Sequence, residues 1–257
     1  MLAQLIYPVN PVHPVRFISR LAQFFSKTAG FCFYRGSWQT FRVRHKKSGE
    51  AYFMAKRPKI LAFAGSLREH SYSKRVVRTA MKGASDAGAD VTYIDLRDYP
   101  MPIYNEDDHK KDGFSPNALK LQKLLGEHDG FLIASPEYNA SLPAALKNAI
   151  DWASRQSNEY KMGEVFKGKI AAIMTESPGA FGGIRCLGHL RGVLSILLVN
   201  VLPSEIAVAN VGKMFDGDGA EMIDEKMKKV LEEVAESLAA ILKKTHGEIE
   251  TVAGPGS

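Results

Sequence analysis

From Lys59 onward the chain alternates short apolar, β-branched runs with longer amphipathic segments, and few folds accept that alternation. Strands are expected at 60–64, 91–96, 130–134, 170–175 and, less regularly, 201–208. Helices are expected between and after them, at 72–84, 115–126, 142–154, 184–198 and 221–244. The last shows apolar residues at helical spacing (Met227, Val230, Leu231, Val234, Leu238) with charges between them. Five successive strand–helix units imply one parallel sheet covered by helices on both faces, a three-layer α/β/α architecture. In such sheets the loops leaving the carboxyl ends of the strands carry ligands, at the point where the winding reverses. The loops after the first, third and fourth strands are therefore expected to converge.

The first of these, LAFAGSLREHSYS (residues 61–73), breaks an apolar strand at Gly65 and opens a helix. Backbone N–H groups at a helix mouth, together with the positive end of the helix dipole, favour an anion such as a phosphate. Ser66, Ser71 and Ser73 add hydroxyl groups, and the Arg68 guanidinium can bond phosphate oxygens in pairs. Ordinary N-capping of a helix would use the same residue types. The chain has no G-x-x-x-x-G-K-[ST] run, and Gly65 has no glycine partners of the G-x-G-x-x-G kind. The pattern left is a mononucleotide phosphate site, as in a flavodoxin-like doubly wound sheet of five strands.

The loop after the third strand, SPEYNASLPAALKNAIDW (135–152), is stiffened by Pro136 and Pro143 and contains Asn139, which tolerates a left-handed turn. Rigid loops hold backbone donors and acceptors in fixed directions, as recognition of a flat heteroaromatic edge requires. Tyr138 is placed to flank such a ring, and Ser141 to cap the next helix. The loop after the fourth strand, TESPGAFGGIRCLGHLR (175–191), gathers Gly179, Gly182, Gly183 and Gly188, which permit close backbone approach or positive φ. Ser177 is positioned to reach a ligand, and Arg185 and His189 to face it or a second subunit. The acidic, proline-bounded stretch DLRDYPMPIYNEDD (95–108) reads as a loop bordering the opening, with Asp107 and Asp108 a solvated pair. No metal-ligand spacing and no nucleophile elbow are present, so no metal site is expected.

Charge is unevenly placed. Residues 1–53 hold eight basic residues against one acidic one, Glu50, a net of +7; taken from the chain's +6, this leaves −1 for residues 54–257. The basic balance thus belongs to the leader, and the remainder carries no nucleic-acid signature. The leader reads either as an organellar transit peptide or as a misread start preceding translation from Met54. Residues 54–248 then form the folded domain and 249–257 a flexible tail. Cys32 and Cys186, the only cysteines, give no disulfide framework, and no apolar run is long enough to span a membrane.

GSLREHSYS, PEYNASLPAALKNAIDW and SPGAFGGIRCLGHLR, in this order, resemble the three signature loops of the NADPH-dependent FMN reductase family, over roughly residues 59–244. The resemblance implies a flavodoxin-like fold that binds FMN noncovalently. Ser66, Arg68, Ser71 and Ser73, with Leu67 and Tyr72 beside them, would hold the phosphate; many relatives have Asn where this chain has Ser73. Pro136, Glu137, Tyr138 and Asn139 would line the ribityl chain and ring. Ser177, Gly179, Gly182 and Gly183 would close the other edge. It further implies hydride transfer from NADPH to the flavin, with a quinone, azo dye, chromate or free flavin then taking the donor's place in a ping-pong cycle. No side chain acts as a catalytic residue in that scheme. An arsenical-detoxification flavoprotein and a flavodoxin-type electron carrier are the alternatives. A homodimer or homotetramer, acting in the cytoplasm or in an organelle if the leader is a transit peptide, completes the expectation.

Overall fold

A computed structural model describes residues 41–43, 51–217, 221–246 and 249–253. The chain divides into two units, Met1–Lys56 with Glu248–Ser257, and Arg57–Gly247. In the first, strands β1 (Phe41–Val43) and β2 (Ala51–Ala55) pair antiparallel, and the chain's last strand pairs with β2 so that Ala51 faces Ala253 and Ala55 faces Ile249. Residues 249–253, expected in a flexible tail, are thus a strand, in keeping with the β-branched Ile249, Thr251 and Val252. The rest of the expected leader, residues 1–40 and 44–50, lies outside the described residues, as do residues 254–257.

The second unit runs β3 (Lys59–Ala64), α1 (Tyr72–Asp86), β4 (Asp90–Asp95), α2 (Glu106–Asp112), α3 (Pro116–Glu127), β5 (Gly130–Pro136) and α4 (Ala144–Ala153). It continues through β6 (Ile170–Glu176), α5 (Ile184–Ile196), β7 (Asn200–Val201), β8 (Ile206–Val208) and α6 (Glu225–His246). The sheet order is β4-β3-β5-β6-β7, every pair parallel, with β8 joining the same edge of β6 further along. Counted from β3, this is the flavodoxin-like order 2-1-3-4-5. The winding reverses between β3 and β5.

The central strands are buried on both sides, as a parallel sheet between helices requires. Ile60, Ala62 and Ala64 of β3 face a cluster with Val76, Val77 and Ala80 of α1 and Leu231, Leu238 and Leu242 of α6. Leu61 and Phe63 face the opposite cluster, with Leu121 of α3, Leu146 of α4 and Leu190 of α5. α1 and α6 touch closely: a Cβ on Gly83 would sit 2.0 Å from the Glu232 carbonyl oxygen.

Three elements depart from the sequence expectation. The acidic stretch contains α2, with Asn105 Oδ1 accepting from the Asp107 N–H at its start, acids in its first turn, His109, Lys110 and Lys111 in its last, and Gly113 at φ +82° beyond it. Residues 201–208 are two short strands rather than one, because Pro203 between them has no N–H for the ladder. α6 begins at Glu225, not 221, where Asp224 Oδ1 accepts from the Met227 N–H at 2.8 Å.

Candidate functional site

The carboxyl ends of β3, β5 and β6 lie side by side in the sheet, so their three loops meet at one edge. Gly65 ties the first to the second: its N–H donates to the Ala134 carbonyl at 2.8 Å, and a Cβ there would press within 2.9 Å of Leu146. Beyond it Ser66 is buried, Leu67 and Arg68 are exposed, and the Ser66 hydroxyl accepts from the Arg68 N–H. Ser71 caps α1, accepting from the Ser73 N–H at 3.2 Å.

The hydroxyls of Ser71 and Ser73 run inward rather than outward. Ser71 Oγ donates to Ser73 Oγ at 3.1 Å, and Ser73 Oγ donates to Glu176 Oε1 at 2.5 Å. Glu176 ends β6, apolar from Ile170 to Met174, and is 4% exposed; its second oxygen, Oε2, has no hydrogen-bond partner. Burial pushes its pKa up to about 8, although the Ser73 hydroxyl and the charge of Arg68 favour the ionised form. Glu176 was not among the residues expected from the sequence. The available signal was a charge closing the run IAAIMTE of a strand that has to be buried on both faces.

Tyr72 lies half-buried, its ring stacked on Phe215 at 6.2 Å with the Arg75 guanidinium over both. After β5, Tyr138 and Ser141 exchange backbone hydrogen bonds of 2.9 and 3.0 Å around Asn139 and Ala140, at φ +49° and +64°. This is a tight turn with two left-handed central residues. It presents Tyr138, 46% exposed, beside the opening. Ser141 does not cap α4, which starts after Pro143; its hydroxyl shares a 2.9 Å hydrogen bond with His189 Nδ1 instead. The turn uses two further residues, so Ser141 stands too early to reach the first N–H groups of α4.

Glu137 reaches across to α5. Its carboxylate accepts from the N–H groups of Arg185 (3.0 Å) and Cys186 (3.1 Å) and pairs with the Arg185 guanidinium at 2.9 Å. Burial would raise its pKa, but these donors outweigh it and hold the carboxyl below its ordinary value. Glu137 thus caps a helix whose own N-cap residue, Gly183, has no side chain. Cys186 is buried against Ser135 at 3.5 Å, and burial pushes its thiol up to about 11, so it is no nucleophile.

In the third loop the Ser177 hydroxyl accepts from the Gly179 N–H, and Gly179 faces open space apart from that hydroxyl. Gly182 and Gly183 have positive φ, and any Cβ on Gly182 would meet the backbone of β8 at 2.8 Å. Their glycines are demanded by the fit of this loop over the sheet. Phe181, 68% exposed, stands next to them, with the Arg185 guanidinium 5.3 Å from its ring.

Together the loops form a helix mouth with serines, one arginine and an orphaned buried carboxyl oxygen, flanked by a rigid turn and exposed aromatic side chains. The parts fit a phosphorylated, flat ligand such as FMN.

A family model described as NADPH-dependent FMN reductase matches residues 58–213. An NAD(P)H-dependent FMN reductase of Pseudomonas aeruginosa is 34% identical over 190 residues, 74% of this chain and 97% of the relative. An NAD(P)H:quinone oxidoreductase of Solanum tuberosum is 36% identical over 204 residues, 77% of this chain and 100% of the relative. Among solved structures, the flavoenzyme NAD(P)H:(acceptor) oxidoreductase FerB of Paracoccus denitrificans is similar with a TM-score of 0.60 and 27% identity, covering 74% of this chain and 100% of its own.

Proposed function

The chain belongs to the NADPH-dependent FMN reductase family, and from that membership we propose that it oxidises NAD(P)H and reduces a quinone by way of FMN held at the ends of β3, β5 and β6. The observation that carries this reading is the serine-capped mouth of α1, set where the sheet's winding reverses. Ser66, Arg68, Ser71 and Ser73 form the phosphate cradle, the hydroxyls of Ser71 and Ser73 being committed to the helix cap and to Glu176 so that these two serve through the N–H groups they hold in place, with Leu67 and Tyr72 bordering them. Pro136, Tyr138 and Asn139 line the ribityl chain and ring, and Glu137 joins them through its backbone, since its carboxylate is engaged with α5. Ser177, Gly179, Gly182 and Gly183 close the far edge.

Bound FMN supplies the two-electron chemistry, as acceptor of hydride from a reduced nicotinamide and donor to an oxidised acceptor. The protein's share is position and an open face. The thiol of Cys186 is buried and the carboxylate of Glu137 engaged, so neither is offered as a nucleophile, and in this reading donor and acceptor meet a surface that orients rather than reacts. Quinones are the acceptors this reading favours, with azo dyes, chromate and free flavin as further ones. The stretch 193–199, with Ile196 and Leu198 exposed, is the apolar segment by which two or four copies would associate. No helix among the described residues is long and apolar enough to cross a membrane, and the reading places the enzyme in the cytoplasm, or in an organelle where the leader acts as a transit peptide.

The test is a visible spectrum of the purified protein under anaerobic conditions. Flavin bands are expected, bleaching on NADPH and returning on addition of a benzoquinone. Bands that persist with NADPH would make the protein an electron carrier reduced by a partner. A colourless protein that takes up no FMN would overturn the assignment.

A further inference from the structure

The first turn of α1 is tied down residue by residue to the carboxyl edge of the sheet. Ser73 Oγ donates to Glu176 at the end of β6, at 2.5 Å. Lys74 Nζ pairs with Asp95 at the end of β4, at 2.6 Å. Tyr72 and Arg75 both turn to the segment that follows β8. The Tyr72 ring stacks on Phe215 at 6.2 Å, with the Arg75 guanidinium 5.4 Å from the first ring and 5.6 Å from the second. Arg75 Nη1 also donates to the Gly217 carbonyl at 2.9 Å, and both Arg75 and Phe215 are buried.

Phe215 is itself fixed. It pairs with Met222 across an antiparallel bridge, and the Ile223 N–H donates to the Met214 carbonyl at 2.8 Å. Upstream, the same segment is bound to the third loop of the site: the N–H groups of Asn210 and Val211 donate to the carbonyls of Gly179 and Ser177, at 3.0 and 3.1 Å. Residues 210–217 therefore link the third loop to the mouth of α1. Phe215 and Gly217 lie past residue 213, where the match to the family ends.

A phosphate at a helix mouth is held by N–H groups whose directions the first turn sets. The hydroxyls of Ser71 and Ser73 are committed to each other and to Glu176, so the geometry of that turn matters the more. Arg75 is buried in the first turn, where a cation opposes the helix dipole, so helix stability does not account for it. Resting on the assignment of FMN above, we infer that Arg75 and Phe215 are positioning residues for the FMN phosphate. They clamp the first turn of α1 to the segment after β8, and a bound phosphate tightens the clamp in return. Both act through the backbone of that turn. The coupling is reciprocal: a phosphate that prefers the clamped turn favours the clamped state by the same factor. Riboflavin has the same ring and no phosphate, so it draws nothing from the clamp. The charge of Arg75 favours an anion as well, and the neutral Phe215 separates the two effects.

The experiment titrates the full chain, stripped of flavin, with FMN and separately with riboflavin, followed by flavin fluorescence. Arg75→Met and Phe215→Leu are compared with the unaltered chain. Both substitutions keep apolar bulk in a buried place, and thermal melts of the flavin-free proteins establish that each is folded during the titration. FMN affinity should fall about tenfold in each variant, with riboflavin affinity kept within about twofold. In the unaltered chain, amide exchange at Ile223 should slow by up to about tenfold on saturation with FMN, and not with riboflavin. FMN affinity lost in Arg75→Met but kept in Phe215→Leu would mean that the arginine acts by charge alone, and overturns the clamp. Equal losses for FMN and riboflavin, the mark of a merely loosened fold, overturn it too, as does exchange at Ile223 that FMN leaves unchanged. Should either variant fail to fold, exchange at Ile223 in the unaltered chain still decides. An unaltered chain that binds neither flavin overturns the assignment of FMN itself, a different outcome from FMN binding that ignores the clamp.

Discussion

Glu176 affects the folded state without any ligand. In the unfolded chain its carboxyl titrates near 4.5, and in the folded chain burial lifts it to about 8. Between those values the folded state binds more protons than the unfolded one, so stability falls as pH rises from about 4.5 through about 8 and is level above that. Gln has the same shape and no such proton linkage. Glu176→Gln is therefore expected to melt higher than the flavin-free parent at pH 7, by roughly 1–3 kcal/mol, with the difference fading toward pH 4. Thermal melts of both proteins at pH 4, 5.5, 7 and 8.5 would check this. Equal melting at every pH would mean that the carboxyl is solvated when the site is empty.

Among the elements, the contact of α1 with α6 sets two effects against each other. A glycine inside a helix costs about 1 kcal/mol relative to alanine, so propensity alone would make Gly83→Ala stabilising. Yet the added Cβ would fall 2.0 Å from the Glu232 carbonyl oxygen, inside the backbone of the neighbouring helix. Backbone cannot swing aside as a side chain can, and separating the helices would open the layer holding Leu231, Leu238 and Val76. The overlap is expected to win, and Gly83→Ala to destabilise by about 2 kcal/mol or more, read as a lower urea midpoint. An unchanged or raised midpoint would mean that α6 shifts outward at little cost.

For the whole molecule, one opening would serve both halves of the proposed reaction. The loops after β3, β5 and β6 bound a single face, with Leu67, Tyr138 and Phe181 exposed around it. Donor and acceptor that use one place in turn give parallel double-reciprocal lines when NADPH is varied at several quinone concentrations. Intersecting lines would require both to be bound together and would reject the shared place. Much of this was legible in the sequence, because its signals are local: the two periodicities mark strands and helices, Ser71 caps α1, and Asn139 takes a left-handed turn. α2 was as legible, through Asn105 and the charges graded along it, but was overshadowed by the prolines before it. What the sequence by itself determined was the order of the elements and the loops able to carry a ligand. Only the tertiary structure decided that Ser73 bonds Glu176, 103 residues away, that Glu137 caps α5, and that Ser141 turns to His189, each 48 residues along. Those partners depend on which strands become neighbours and in what register, and no periodicity within a segment encodes the position of another segment beside it.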